Sequence, residues 1–464
     1  MVMNEPVGKR AVVIGGSVAG TLAARVLSEF YREVVVVDRD KVLGVDKPRR
    51  GTPHTWHAHG LHARGYFILE ELFPNLLEEL RDSGVPVGDL ARMKWYFNGK
   101  QVEPADSGLP SITALRPVLE HHLRQRTAAI PNVTYRERTD VHGLLATREG
   151  KRIIGVRVQA RDGSSEEERL GADLVVDASG RGSRTPVWLE ELGFERPAEE
   201  RVKIGLAYTT RMFRKRPEMF DGWQSINPVA SPAHPRGAFF GQVNEDECIL
   251  SLTGILGDHP PTDPRGYLEY VKSLPVPEIY EAVKDAQPLI EPVTFKFPAS
   301  SRRRYERLKR FPERLFVLGD AFCSFNPVYG QGMTVASMEA IALREHLTRR
   351  SEPDSRRFLR EIGKVVNDPW EISTSGDLDF PGAEGKRTLK VKMGNAYMAK
   401  LQYAATLDPD ITAAFMRVAG LIDPPTALMK PGLMLKVLRA NRRRPVPGAT
   451  VTELPRPGRE SRAA

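Results

Sequence analysis

Cysteine is nearly missing from this chain: Cys248 and Cys323 are the only two among 464 residues. Two thiols cannot build a disulfide framework or a zinc site, and their scarcity fits a reducing cytoplasm. Long apolar runs are missing too. No stretch approaches the ~18 apolar residues that a membrane span requires. The one apolar run near the N-terminus reads as a strand, with no signal-peptide pattern around it. The chain is expected to be cytoplasmic, without a membrane span. No Ser-His-Asp or paired-carboxylate constellation stands out in the sequence.

Positive charge is in excess, but its distribution matters more than its sum. Of the net +9, the stretch from Lys436 onward contributes eight Lys/Arg against two Glu, which leaves about +3 for the body. That tail is rich in Pro and Gly and has no periodicity, so residues 441–464 read as a disordered basic end rather than a nucleic-acid site. Hydrophobic content of 41% and charged content of 27% describe an ordinary globular protein, long enough for two or three domains.

What is present begins at Arg10 to Asp38, RAVVIGGSVAGTLAARVLSEFYREVVVVD. A β-branched run meets Gly15 and Gly16, and a helical pattern follows with apolar Val18, Leu22, Val26 and Leu27. A second run, Val34 to Val37, then ends in Asp38. This is the order of a βαβ dinucleotide site, with pyrophosphate at the helix N-terminus and ribose on the carboxylate. Gly15 and Gly20 fill the first and third places of G-x-G-x-x-G, and Ser17 holds the second. The alternative is a βαβ unit whose glycines serve only close packing. The dinucleotide is not specified at this point.

Further along, Arg49 to Gly65 carries His54, His57, His59 and His62. No Cys, Asp or Glu lies in the segment to complete a zinc set, so no metal is assigned. On an extended strand His57 and His59 share one side, and the segment reads as a loop near the cofactor. One helix is expected over Tyr66 to Arg81 and another over Arg116 to Arg126. Strands are expected at Met93 to Phe97, Val133 to Arg136, Thr139 to Thr147 and Arg152 to Arg161. The turn ADLVVDASGRGSR, with Asp177, Ser179, Gly180 and Gly182, again suits close backbone approach. Residues 202–300 change to antiparallel patterns, including a hairpin from Ala238–Val243 to Cys248–Leu256 and a strand Val293 to Phe297. Leu315 to Leu318 then delivers Gly319 and Asp320, followed by a loop with Pro327, Gly330 and Gly332 and a helix from about Met333. The remainder is helical in pattern, and Thr426 to Arg439 reads as a helix on the body rather than on a membrane surface.

The set GGSVAG with Asp38, DASGRGSR and GDAFCSFNPVYGQG resembles single-chain FAD-dependent monooxygenases of the aromatic-hydroxylase type. GTPHTWHAHGLHARG, IGLAYTTRMF and NDPW make the chain look most like actinobacterial squalene-epoxidase-like flavoproteins, including polyether epoxidases. The resemblance implies an α/β fold: a Rossmann-like FAD-binding domain of the glutathione-reductase type, an inserted antiparallel-sheet substrate domain and a C-terminal helical region. FAD-binding segments would span residues 1–92, 116–200 and 301–350. Substrate segments would span 93–115 and 201–300, with helices over 351–440.

By position, the resemblance places Gly15, Gly16, Ser17, Val18, Ala19 and Gly20 at the FAD pyrophosphate. Asp38, with Arg39 beside it, falls at the adenosine ribose, Arg116 on the phosphate side and Val141 at the adenine. Asp320 falls at the ribityl chain, Gly180 and Gly319 are further cofactor contacts, and Pro327, Gly330, Gln331, Gly332 and Met333 fall at the flavin pyrimidine edge. The implied reaction is epoxidation or hydroxylation of an apolar polyene, polyketide or terpenoid of secondary metabolism, such as antibiotic biosynthesis. O2 would be the oxidant, acting through a flavin C4a-hydroperoxide. Where many aromatic hydroxylases carry Asp-Gly, this chain has Ser179-Gly180. NAD(P)H would therefore act directly or through a separate flavin reductase. His57, His59, Tyr208 and Arg211 are the candidate substrate contacts. A halogenase or alkene reductase on the same scaffold is the alternative, although the five tryptophans form no W-x-W-x-I-P pattern. A catalytically silent FAD-binding interaction protein is the third reading.

Overall fold

The computed structural model describes residues 6–442, apart from 50, 114, 163–165, 350 and 351. Nearly all of the basic tail expected over 441–464 therefore lies outside the described residues. The central layer is a five-stranded parallel sheet in the order Leu315–Val317, Leu174–Asp177, Gly8–Ile14, Tyr31–Val37, Val133–Arg136. Both faces are covered, so its strands are continuous β-branched runs: Val12, Val13, Val34 and Val36 have no exposed surface. Parallel pairing brings four strand ends to one edge. Gly15, Asp38, Ala178 and Leu318 follow those ends directly, the place where open α/β sheets bind ligands.

Two glycines are required there by packing. Gly15 has φ +102°, and a Cβ on it would lie 2.6 Å from the Ala178 carbonyl oxygen. A Cβ on Gly20, inside the helix Val18–Leu27, would lie 1.8 Å from the Gly15 carbonyl oxygen. Only hydrogen fits at either position.

The second layer is an eight-stranded sheet in which Glu199–Arg214 is flanked by Val293–Arg303 and Glu247–Gly254. It is antiparallel except where Ser225–Val229 runs parallel to Lys94–Phe97. Side chains on Glu199–Arg214 alternate between faces. Phe213 packs with Leu250, Tyr267 and Ile279 under the helices Pro264–Lys272 and Pro277–Val283. Tyr208 and Thr210 face the other way, towards His57.

Four local expectations are corrected. The helix expected over Tyr66 to Arg81 is two, Ala63–Leu72 and Leu76–Asp82, because Pro74 lacks an N–H and Asn75 turns left-handed at φ 68°. The strand expected to end at Phe297 continues to Arg303, across the boundary drawn at residue 300. Thr426 to Arg439 is divided by Pro431 into a 3-10 turn, Pro425–Met429, and a helix, Pro431–Asn441, which buries Val437 beside Leu401 and Ala404 of the helix Leu389–Ala405. His57 and His59 do not sit on a strand: a 3-10 turn, Pro53–Trp56, precedes them, and His59 Nδ1–H donates back to the His57 carbonyl. Among the described residues, no helix is long and apolar enough to cross a membrane.

Candidate functional site

A cavity of about 650 Å³ opens at the edge where the strand ends meet. One end is lined by Asp38, Arg39, Arg49 and Val141. Asp38 is fixed from two sides: Oδ2 accepts Gly16 N–H at 2.7 Å and Oδ1 accepts Asp40 N–H at 2.8 Å. Burial raises its pKa, opposed by Arg49 and by those two N–H groups. Each oxygen keeps a lone pair for a ligand hydroxyl.

The middle of the cavity is built for an anion. The helices Val18–Leu27 and Gly332–Thr348 both begin at its wall, without a capping side chain and without an acid in the first turn. Their free N–H groups and positive dipole ends are thus open to negative charge. Arg116 enters beside them, and Glu120 organises the basic groups behind. Glu120 accepts from Arg116 Nε at 2.8 Å, Arg124 Nη1 at 2.6 Å and the Ser17 hydroxyl at 2.6 Å. Burial would raise its pKa, but Arg116, Arg124, the Ser17 hydrogen bond and Arg49 together hold it well below the usual carboxylate range. Ser17 therefore anchors the glycine loop to the helix Arg116–Ala128, and it also accepts from Arg116 Nη2 at 3.2 Å. Among the described residues, Arg49 Nη2 is buried without a hydrogen bond.

Ligand space is visible in the backbone itself. Among the described residues, a Cβ added to Gly180, Gly182 or Gly332 would meet nothing within 4 Å, and all three glycines line the cavity. Asp320 lies between these groups, its pKa raised by burial and lowered in turn by Arg116 and Arg181. The loop Pro327 to Met333 is clamped from two directions. His62 Nε2–H donates to the Tyr329 carbonyl at 2.7 Å. Asp377 Oδ1 accepts from Asn326 Nδ2 at 2.7 Å and from the Tyr329 hydroxyl at 3.3 Å. Burial pushes the Asp377 carboxyl up to about 7.

At the other end His54, His57, His59, Tyr208, Phe295 and Phe297 line the cavity. The His57 ring centroid is 5.5 Å from Tyr208 and 5.9 Å from Phe295. Burial lowers His57 to about 4 and, with Arg116 adding to it, His59 to about 3. His54 accepts from Arg116 Nη1 at 2.8 Å and is lowered by burial and by that guanidinium. These imidazoles are neutral at pH 7. Among the described residues, no group of three His, Cys, Asp or Glu is arranged to hold a metal.

Most of the residues singled out from the sequence thus meet at one cavity: Gly15, Ser17, Val18, Ala19, Asp38, Arg39, Arg116, Val141, Gly180, Gly319, Asp320, Pro327, Gly330, Gly332 and Met333, with His57, His59 and Tyr208. Four lie off its wall. Gly16 is spent on Asp38, Gly20 on packing against Gly15, and Gln331 is buried ahead of the helix Gly332–Thr348. Arg211 stands three residues from Tyr208 and so on the opposite face of its strand. There it donates to the Ile290 carbonyl at 3.1 Å and lies over Phe213. The residues that sequence reasoning passed over include Arg49, Glu120 and Asp377. Glu120 has a signal, four residues from both Arg116 and Arg124; the other two have none locally.

Known proteins are similar to this chain in sequence and in fold. A family model described as FAD binding domain matches residues 9–352. Protein Rv3254 of Mycobacterium tuberculosis is 33% identical over 430 residues, which covers 89% of this chain and 90% of that protein. Among solved structures, a flavoprotein/dehydrogenase from Cytophaga hutchinsonii matches with a TM-score of 0.68 at 15% identity, over 94% of this chain and 98% of that one. The flavin-dependent brominase Bmp2 matches with a TM-score of 0.66 at 14% identity, over 94% and 99%. At 14–15% identity these two establish likeness of fold.

Proposed function

The chain belongs to the FAD binding domain family, and on that premise we propose that it is a flavin-dependent monooxygenase acting on a largely apolar small molecule with O2. One observation carries the reading: a single cavity joins the anion-binding middle and Asp38 to a histidine- and aromatic-lined end on the second sheet. Open backbone at Gly180, Gly182 and Gly332, two uncapped helix N-termini and the Arg49–Arg116 cluster fit a dinucleotide with its pyrophosphate. Gly15, Ser17, Val18, Ala19 and Arg116 would hold that pyrophosphate, and Asp38, Arg39 and Val141 the adenosine. Gly180, Gly319 and Asp320 would hold the ribityl chain, and Pro327, Gly330, Gly332 and Met333 the ring. When bound, FAD supplies the redox chemistry and the activation of O2.

The chain's own residues then bind, orient and exclude water. The N-terminus of Gly332–Thr348 would offer N–H groups to negative charge on the bound flavin. Phe295, Phe297 and the neutral histidines give the substrate end a low-dielectric lining. Ser179 donates from both N–H and hydroxyl to the side-chain carboxylate oxygen Asp177 Oδ1, so its polar groups are engaged within its own turn. The proposal that a separate NAD(P)H-dependent flavin reductase supplies the electrons rests on Ser179-Gly180 standing where many aromatic hydroxylases carry Asp-Gly. The finer reading, an epoxidase of polyenes, polyketides or terpenoids in secondary metabolism, rests on the motif resemblance.

The test is FAD-loaded protein with a generic flavin reductase, 18O2 and panels of polyenes and aromatics. A mass gain of one labelled oxygen supports the proposal. Halogenated product in the presence of bromide or chloride would move the assignment to a halogenase, and anaerobic saturation of an alkene to a reductase. Release of hydrogen peroxide alone with every substrate would indicate a silent flavin-binding protein.

A further inference from the structure

Beneath the substrate end runs a chain of hydroxyl groups whose direction is set at its far end. Thr210 and Ser251 face each other on the paired strands Glu199–Arg214 and Glu247–Gly254, and their hydroxyls are 2.6 Å apart. Ser251 Oγ accepts Ala58 N–H at 2.9 Å. Among the described residues, Thr210 Oγ1 is the one acceptor open to the Ser251 proton. Thr210, having accepted, donates its own proton to His57 Nδ1 at 2.7 Å. The opposite direction would leave the Ser251 proton buried without an acceptor, which buried hydroxyls avoid.

A neutral imidazole that accepts at Nδ1 carries its proton on Nε2. Burial keeps the His57 ring neutral far below pH 7. Among the described residues, buried His57 Nε2 has no partner, and neither does the buried hydroxyl of Tyr208, the next residue on the same face of the strand as Thr210. Both side chains are nine-tenths buried or more, both line the cavity, and Phe295 and Phe297 lie beside them. The Asp377 carboxyl acts on the Tyr208 hydroxyl and the Arg181 guanidinium lies over Phe297 at 4.3 Å; beside these charges of both signs, two unmet neutral donors match an acceptor without charge.

Building on the monooxygenase reading, we propose that the Ser251–Thr210 chain fixes His57 as an Nε2–H donor, which together with the Tyr208 hydroxyl binds an oxygen atom of the substrate. The substrate class is then an apolar molecule that already bears a carbonyl, ether or hydroxyl oxygen, rather than a pure hydrocarbon. His57 and Tyr208 set specificity, and Thr210 and Ser251 act through His57 as positioning residues.

Two readouts test this without turnover. In 15N NMR of the FAD-loaded protein with labelled histidine, the signal lost in His57→Phe should show a bare Nδ1 and a protonated Nε2. Thr210→Val should disturb that signal and Thr210→Ser should restore it. In titrations followed by flavin absorbance, a long-chain enone should bind about tenfold tighter than the matching hydrocarbon, the weight of roughly one hydrogen bond. His57→Phe and, separately, Tyr208→Phe should reduce that preference while FAD content stays at the wild-type level. A protonated Nδ1, or an enone preference that survives both substitutions, would overturn the proposal. If the preference holds and the wild type still yields no oxygenated product, the monooxygenase reading fails and the donor pair stands.

Discussion

Replacing Glu120 by Gln removes one negative charge from the centre of the basic cluster while keeping its shape. Arg116, Arg124 and Arg49 lie within 2.8, 2.6 and 3.5 Å of its carboxylate, and the side chain is almost fully buried. Removing one partner of such a buried ionic set costs about 3–5 kcal/mol, because the remaining charges stay desolvated. At ~2.1 cal/mol/K per residue, a chain of this size unfolds with an entropy of roughly 1 kcal/mol/K, so the expected fall in Tm is about 3–5 °C. The folded-state pKa of Glu120 is depressed. Its contribution is therefore complete above the ordinary carboxylate pKa and fades only as pH falls through the lower folded value. The difference between wild type and variant should be flat from about pH 6 to 8. FAD should shrink the difference, since a pyrophosphate supplies counter-charge to the same guanidinium groups. Scanning calorimetry of apo and FAD-loaded protein measures each quantity. An unchanged apo Tm, or a larger difference with FAD bound, would refute the account of Glu120.

Asp377→Asn should show the opposite pH behaviour. Burial raises the folded pKa to about 7, so the wild-type carboxyl contributes stability that is complete below pH ~4 and lost as pH rises through ~7. The Tm of the variant should therefore gain on the wild type between pH 5 and 8, and a constant difference across that range would contradict the burial argument. Gly20→Ala puts a methyl 1.8 Å from a backbone oxygen and should prevent accumulation of folded protein, checked by soluble yield and circular dichroism. A Cβ on Gly332 meets nothing within 4 Å among the described residues; in Gly332→Ala the apo Tm should hold or rise by about 1 °C, the equivalent of ~1 kcal/mol of helix propensity, while FAD affinity by fluorescence titration falls. Arg211→Met should lower Tm but leave the substrate KM unchanged, because the side chain lies on the helix-covered face.

The parts of the fold that follow from local pattern were legible. Val34 to Val37 and Ala11 to Ile14 read as buried parallel strands because a strand covered on both faces has no polar alternation to blur it. Glycine positions at strand ends, the acid at 38 and the break before residue 333 are likewise written in short windows. The rest depends on which distant segments meet. Arg49 carries no local mark of the Glu120 that receives it, and nothing near Asp377 announces Asn326, 51 residues away. Two misreadings had local remedies. Pro74 already divides the stretch Tyr66 to Arg81, and the two-residue period of a strand already separates Tyr208 from Arg211. Ser17, unexplained as a glycine substitute, acquires a reason only when Glu120 comes 2.6 Å from its hydroxyl.

The order of the parallel sheet also imposes a timetable. Gly8–Ile14 is its middle strand and is made first, whereas Leu315–Val317 at its edge emerges about 300 residues later. At ~5–20 residues per second, synthesis of that interval takes roughly 15–60 s. The flank that Leu315–Val317 will cover belongs to Leu174–Asp177, made about 140 residues before it, and stays open for roughly the last 7–28 s of that interval, while the wall that Gly319 to Met333 provides does not yet exist. A nascent chain can present Asp38 and the glycine loop early, but it cannot enclose a ligand until that last strand docks. Cofactor capture is in this sense a late checkpoint on the assembly of the whole sheet.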